Sequence, residues 1–312
     1  MFLSKFSFVL RGLAAILALT PIVHSMRAAE AINTNIPPAI RLVEARRPLV
    51  IGHRGYCQIA PENTLPSFQL AATAGADLVE LDYHHSKDNE LIVIHDADLD
   101  RTTDALSHWP GEQKIKVASR TAAEIKTLDA GAWFDPKFAG TKIPTLSEAL
   151  ETIQKGSVTL IERKAGEPAA CIKLLQTRSL VNSVVVQAFD WHFLKEFHKE
   201  LPEQVLGALG PPSHSSNGDR IDTRKQEPAD KQLSAKWLDD LGQTGAKVVV
   251  WSQQVSRESV TLAHQRGFKV WVYTINEPDL ANRLLDIGVD GIITNNTSLI
   301  WRTIALREKK FE

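Results

Sequence analysis

The feature that most narrows what this chain can fold into is a recurring pattern. Short apolar runs return along the chain, and most are followed by a stretch with helical periodicity. Runs at Val158–Glu162, Val184–Gln187, Val205–Leu209, Val248–Trp251, Lys269–Tyr273 and Gly291–Thr294 read as strands. Helices are expected between them at Pro168–Gln176, Trp191–Lys199, Ser234–Leu241, Glu258–Gln265 and Asp279–Ile287, with Ser298–Arg307 closing the chain. Upstream, Pro48–Ile51, Leu78–Tyr83 and Leu91–Ile94 also read as strands, with helices at Ser67–Ala74 and Leu146–Gln154. The count comes to roughly eight strand-helix units, the number that closes a TIM (β/α)8 barrel. An open doubly wound sheet is the competitor, but no Gly-x-Gly-x-x-Gly follows any strand to hold a dinucleotide.

The 312 residues, 43% of them hydrophobic, suffice for one barrel-sized domain. With 36 basic against 37 acidic residues, no overall field would hold nucleic acid or an anionic membrane, so neither is expected as a partner. Any anion must be held by local groups.

Residues 1–31 read as a signal peptide: Lys5 and Arg11 flank an apolar core from Leu13 to Val23, followed by small residues at Ala28, Ala29 and Ala31. That core falls short of the ~20 apolar residues that span a bilayer, leaving an uncleaved amphipathic anchor as the alternative. The expected location is periplasmic or secreted, with no stable membrane association after signal removal. A polar linker over 32–47 precedes the barrel domain at 48–312. Within that domain, 97–142 lacks long periodic runs and reads as a small insertion after the second strand region, with one short helix near Thr121–Lys126. The polar stretch Pro211–Asp230 follows a strand, so it is expected at the active-site mouth, where it would contribute to selectivity. Cys57 and Cys171 are the only cysteines, and nothing in the sequence brings them together.

The chemistry concentrates between Gly52 and Arg101. Glu80 and Asp82, at i and i+2 of one strand, point to the same face. Two carboxylates in one low-dielectric place repel unless a cation lies between them. Glu162 and Lys164 repeat the spacing at the end of the next barrel strand, adding a third carboxylate and a cation. Glu80, Asp82 and Glu162 form an all-oxygen set that suits one divalent metal, Mg²⁺ or Ca²⁺, better than structural zinc. A buried Glu162–Lys164 ion pair is the blander reading. His53 and His95 each follow an apolar run, and two imidazoles flanking a metal-bound anion can serve as general acid and base. Which does which is left open. Arg54 offers a forked donor for phosphate, with Gly55 letting the backbone approach closely. His84 and His85 lie in or beside a turn and read as solvated.

These residues sit in an ordered set of motifs: His53-Arg54-Gly55, Pro61-Glu62-Asn63-Thr64, Gly75-Ala76-Asp77 with Glu80-x-Asp82, Lys87-Asp88, His95-Asp96, Arg101-Thr102-Thr103, Ile143-Pro144-Thr145-Leu146, Glu162-x-Lys164 and Gly288-Val289-Asp290-Gly291-Ile292-Ile293-Thr294. The set resembles the glycerophosphodiester phosphodiesterase family from about Val50 to Thr294. The resemblance implies a TIM barrel in which Glu80, Asp82 and Glu162 bind a divalent metal. His53 and His95 would be the acid-base pair, and Arg54 and Lys164 would hold the phosphate. It further implies hydrolysis of a small-molecule glycerophosphodiester to sn-glycerol 3-phosphate and an alcohol. A lipid-cleaving, phospholipase D-like enzyme on the same barrel, acting on lysophospholipid or sphingomyelin, is one alternative, and a non-catalytic binding protein is another. The chain departs from the family pattern at Asn89, Ala188, Tyr273-Thr274-Ile275-Asn276 and Thr294-Asn295-Asn296-Thr297, where the last replaces Thr-Asp-x-Pro. These departures are expected to leave the metal and acid-base residues untouched.

Overall fold

The structure is a computed structural model that describes residues 36–308. The stretch read as a signal peptide lies outside the described residues. Nine strands form one sheet: β1 (Leu49–Gly52), β2 (Leu78–His85), β3 (Leu91–Val93), β4 (Val158–Arg163), β5 (Val185–Ala188), β6 (Val205–Gly210), β7 (Val248–Ser252), β8 (Lys269–Tyr273) and β9 (Gly291–Thr294). Eight of them run parallel in the order β1-β9-β8-β7-β6-β5-β4-β2, and pairing of β1 with β2 closes the ring. This is a TIM barrel.

β3 is the ninth strand and lies outside the ring. It runs antiparallel to the far end of β2, with Tyr83 opposite Val93, His84 opposite Ile92 and His85 opposite Leu91. The turn between them is Ser86–Glu90, where Asn89 takes the left-handed conformation at φ 64° and its Oδ1 accepts from His85 Nδ1 at 2.7 Å. Because β3 holds it, β2 extends through His85, and His84 is buried with Nε2 3.1 Å from the His95 carbonyl. The solvated setting expected for His84 is therefore corrected.

Side chains alternate between two apolar cores. Leu49, Ile51, Leu78, Leu160, Val185, Val248, Val250 and Ile293 belong to one cluster that floors the site from below. The opposite faces, such as Val79, Leu81, Ile161, Val186 and Val249, pack with the helices, for example with Phe68, Leu150 and Phe197. The helix Leu146–Ile153 starts on a capping box in which Thr145 accepts from the Glu148 amide and Glu148 returns to the Thr145 amide.

Two segments add to the barrel. Within the stretch read as linker, Pro38–Val43 is a helix; its Ala39 is fully buried, and Ile40, Leu42 and Val43 pack on the floor cluster. The stretch after β3 has an apolar cluster of its own, including Ile92, Ile94, Leu99, Ile115, Ile125, Leu128 and Ile143. Its helix Ala122–Ile125 carries a second capping box from Thr121 and Glu124. Among the described residues, no helix is long and apolar enough to cross a membrane.

Candidate active site

The candidate residues gather at the C-terminal ends of β1, β2 and β4. Asp82 is level with Glu162 in the β2–β4 ladder, and Glu80 lies one inward-facing step below Asp82. One oxygen from each of Glu80, Asp82 and Glu162 falls within 4.8 Å of the others, and all three residues are buried. Glu80 Oε1 and Asp82 Oδ1 are buried without a hydrogen-bond partner, although the Lys164 ammonium lies 3.2 Å from Asp82 Oδ1 as an ion pair. Lys164 also donates to Glu162 Oε1 at 2.5 Å.

Burial and mutual repulsion act on this cluster. Burial, then the charges of Asp82 and Glu162, push Glu80 well above the usual carboxylate range. Burial and Asp82 lift Glu162 to about 7. Asp82 goes the other way: burial opposes its ionisation, but Lys164 and then Arg54 outweigh it and hold it low. The surrounding cations thus keep one of the three ionised with ease. A hard divalent cation fits here, because it would ionise the remaining carboxylates and engage the oxygens that lack hydrogen bonds.

Arg54 and His53 follow β1 directly. The His53 amide donates to the Thr294 carbonyl at 2.8 Å, which fixes where the chain leaves the barrel. Arg54 then turns into the left-handed region at φ 51° and Gly55 at φ 85°. This turn lets the Arg54 amide donate to Glu80 Oε2 at 2.7 Å. Its guanidinium donates to Glu62 Oε1 at 2.9 Å and lies 3.5 Å from Asp82 Oδ2. Gly55 is required for a reason other than the one expected from sequence. A Cβ there would stand 2.1 Å from the Ser67 hydroxyl, so the close approach is made by the following helix.

The two histidines are held differently. His53 Nδ1 lies 2.7 Å from Asn295 Oδ1, so this nitrogen carries the proton and donates to an amide oxygen. Burial, then Arg54, lower the His53 pKa to about 4. His95 Nδ1 lies 2.7 Å from Asp96 Oδ1, a carboxylate. Burial lowers the His95 pKa as well, opposed by Asp82 and by the bond to Asp96. His95 reaches the mouth just beyond β3, because the Ile94 amide donates to the Asp82 carbonyl at 3.1 Å and sets the next residue beside the carboxylates. A cleft of about 490 Å³ opens here, lined by His84, His95, Asp96, Glu162, Lys164, Phe189, Asp190 and Ser213 among others. Ser213 comes from the polar stretch expected at the mouth.

With this geometry in place, three comparisons agree. Residues 53–299 match the Glycerophosphoryl diester phosphodiesterase family. The chain belongs to that family. A glycerophosphodiester phosphodiesterase of Caldanaerobacter subterraneus subsp. tengcongensis is 32% identical over 255 residues, 80% of this chain and 94% of the relative. One of Bacillus subtilis is 29% identical over 277 residues, 83% and 87% of the two chains. Among solved structures, an Oleispira antarctica phosphodiesterase in complex with the product sn-glycerol-3-phosphate superposes with a TM-score of 0.69 at 28% identity, covering 83% of this chain and 97% of that one. This family member is accordingly a hydrolase of the phosphodiesterase class.

The family pattern also locates what the sequence reading missed. Asn295 is one of the departures from that pattern, and the expectation that such departures spare the acid-base residues fails: it is the hydrogen-bond partner of His53. Asn63 braces Asp82 twice, donating through Nδ2 to Oδ2 at 2.8 Å and accepting the Asp82 amide at 3.1 Å. Glu62 joins Arg54 to Arg101. Pro61-Glu62-Asn63-Thr64 was visible as a motif, yet its roles depend on a left-handed Asn63 at φ 57° that aims the side chain back into the barrel. Both cysteines are free; Cys171 is fully buried and Cys57 lies 3.1 Å from Asn295 Oδ1.

Proposed function

We propose that this protein hydrolyses glycerophosphodiesters to sn-glycerol 3-phosphate and an alcohol, with a divalent metal and with His53 and His95 as its acid-base pair. The observation that carries this reading is the three-carboxylate cluster with an imidazole near Asp82 on each of two separate segments. The product complex of the Oleispira antarctica relative supports the substrate class.

Glu80, Asp82 and Glu162 would hold the metal, Mg²⁺ or Ca²⁺, which when bound supplies Lewis-acid stabilisation of the phosphate's developing charge. Arg54 and Lys164 orient the phosphate and neutralise its oxygens. His53, protonated on Nδ1 and facing an amide, keeps its Nε2 lone pair to accept a proton from the nucleophile. His95, backed by the Asp96 carboxylate, donates a proton to the leaving alkoxide; the carboxylate supports its imidazolium form. The amide-versus-carboxylate difference supports this division of roles. Export of the protein, read from the basic and apolar pattern of residues 1–31, is a separate proposal, tested by finding the activity in the periplasmic or culture fraction.

The test is release of glycerol 3-phosphate from glycerophosphocholine, glycerophosphoethanolamine and glycerophosphoinositol with Mg²⁺, Ca²⁺ or EDTA, beside lysophosphatidylcholine and sphingomyelin. Metal-dependent turnover of the water-soluble diesters is expected. No release from any of them, or cleavage of the lipids alone, would sink the proposal.

A further inference from the structure

Arg101 is left unused by the chemistry above, yet it makes more charged contacts than its position suggests. Its Nε donates to Asp96 Oδ2 at 2.5 Å, while Nη2 and Nη1 donate to Glu62 Oε1 and Oε2 at 2.8 and 3.0 Å. The other Asp96 oxygen is the one that meets His95 Nδ1 at 2.7 Å. Glu62 Oε1 in turn accepts from Arg54 at 2.9 Å. One unbroken chain of charge-assisted hydrogen bonds thus runs His95–Asp96–Arg101–Glu62–Arg54.

We propose that Arg101 is a positioning residue that fixes the orientation of the His95 ring through Asp96 and ties it, through Glu62, to the Arg54 guanidinium. The inference rests on the acid-base reading of His95 given above and adds the part that holds it in place.

Three observations carry it. Asp96 neighbours His95 in the chain and is partly exposed, so its carboxylate would be free to swing to solvent without a second anchor. Arg101 supplies that anchor with a planar fork that reaches two carboxylates at once, which a single ammonium cannot reproduce. The anchor is itself fixed: Leu99 is buried in the separate apolar cluster, and Asp100 accepts from the Lys114 and Ile115 amides at 2.6 and 3.0 Å. The bond from Arg101 also draws the Asp96 carboxyl down to about 2, so it faces His95 as an anion. Arg101 is nearly half exposed, and ion pairs in that setting add little to stability. Its loss is therefore to be read in turnover.

The experiment compares Arg101→Gln, Arg101→Lys, Asp96→Asn and the Asp96→Asn/Arg101→Gln double variant on glycerophosphocholine, with His95→Ala as control. Arg101→Gln is expected to lower kcat by roughly 10- to 100-fold, the scale of a misplaced reacting group, with a far smaller change in KM. Arg101→Lys should recover little of the loss. In the Asp96→Asn background, Arg101→Gln should cost far less than it does alone, because its action on His95 runs through the Asp96 contact already weakened. In parallel, the deshielded imidazole N–H proton of His95, assigned by its disappearance in His95→Ala, should shift or broaden in Arg101→Gln. Wild-type kcat in Arg101→Gln, a loss that adds in full to that of Asp96→Asn, or an effect on KM alone would overturn the proposal. An inactive wild type, or a fully active His95→Ala, would sink the acid-base reading instead; the proton resonance then decides the clamp alone, and an unmoved resonance in Arg101→Gln overturns it.

Discussion

His53 donates its Nδ1 proton to the Asn295 side-chain oxygen, a bond that favours the imidazolium but is outweighed by burial and by Arg54. With the pKa lowered to about 4, His53 stays neutral across the physiological range and loses its lone pair only as pH falls toward that value. Asn295→Asp would place a carboxylate there, stabilise the imidazolium and raise the pKa. The acid limb of the kcat/KM profile should move to higher pH; a profile that does not move would separate Asn295 from the basicity of His53. Truncating either imidazole is a blunter test. His53→Ala and His95→Ala should each cost at least ~100-fold in kcat, and full turnover in one would remove that residue from the mechanism. At this scale the sequence was legible wherever spacing alone dictates direction: Glu80 and Asp82 share a face because strands alternate. It was not legible where a partner comes from far along the chain. Asn295 lies 242 residues from His53, and Asn63 reaches Asp82 only because its backbone is left-handed.

Among the elements, the barrel strands were readable because a strand buried on both faces appears as a continuous apolar run. The same signal misleads at β3, since Leu91–Ile94 is as apolar as any ring strand and yet packs over a separate cluster outside the ring. Nothing in its composition says which side of β2 it will take. The helix Pro38–Val43 was hidden in the linker by its brevity and by the basic residues after it. Two predictions belong here. Thr145→Ala breaks the capping box of the helix Leu146–Ile153 and should destabilise the protein by about 1 kcal/mol in chemical denaturation, with kcat unchanged. Shortening Pro211–Asp230 should alter the ranking of glycerophosphodiesters by kcat/KM, because this stretch brings Ser213 to the cleft; an unchanged ranking would end that role.

For the molecule as a whole, the site is a source of instability that a cation would relieve. Burial raises the Glu162 pKa to about 7 and that of Glu80 well above its usual range, so at these two positions the folded chain without metal holds protons that the unfolded chain has released. The stability these groups contribute is complete below the ordinary carboxylate pKa and is lost as pH rises through about 7. The lowered His53 and His95 oppose this trend below the ordinary imidazole pKa, so in EDTA the melting temperature should fall from about pH 7 to pH 8, and added Mg²⁺ or Ca²⁺ should restore most of the loss. Equal melting curves with and without metal at the higher pH would argue that the carboxylates are satisfied by Lys164 and Arg54 alone.

The arrival of His95 just beyond β3, outside the closed ring, has a consequence for how such an enzyme can be altered. The ring supplies the carboxylates, and the segment beyond β3 supplies one of the two imidazoles together with Asp96 and Arg101. Transplanting the block from Leu91 to Ile143 between relatives would carry His95 with its Asp96 and Arg101 contacts, while the carboxylates of the recipient stay as they were.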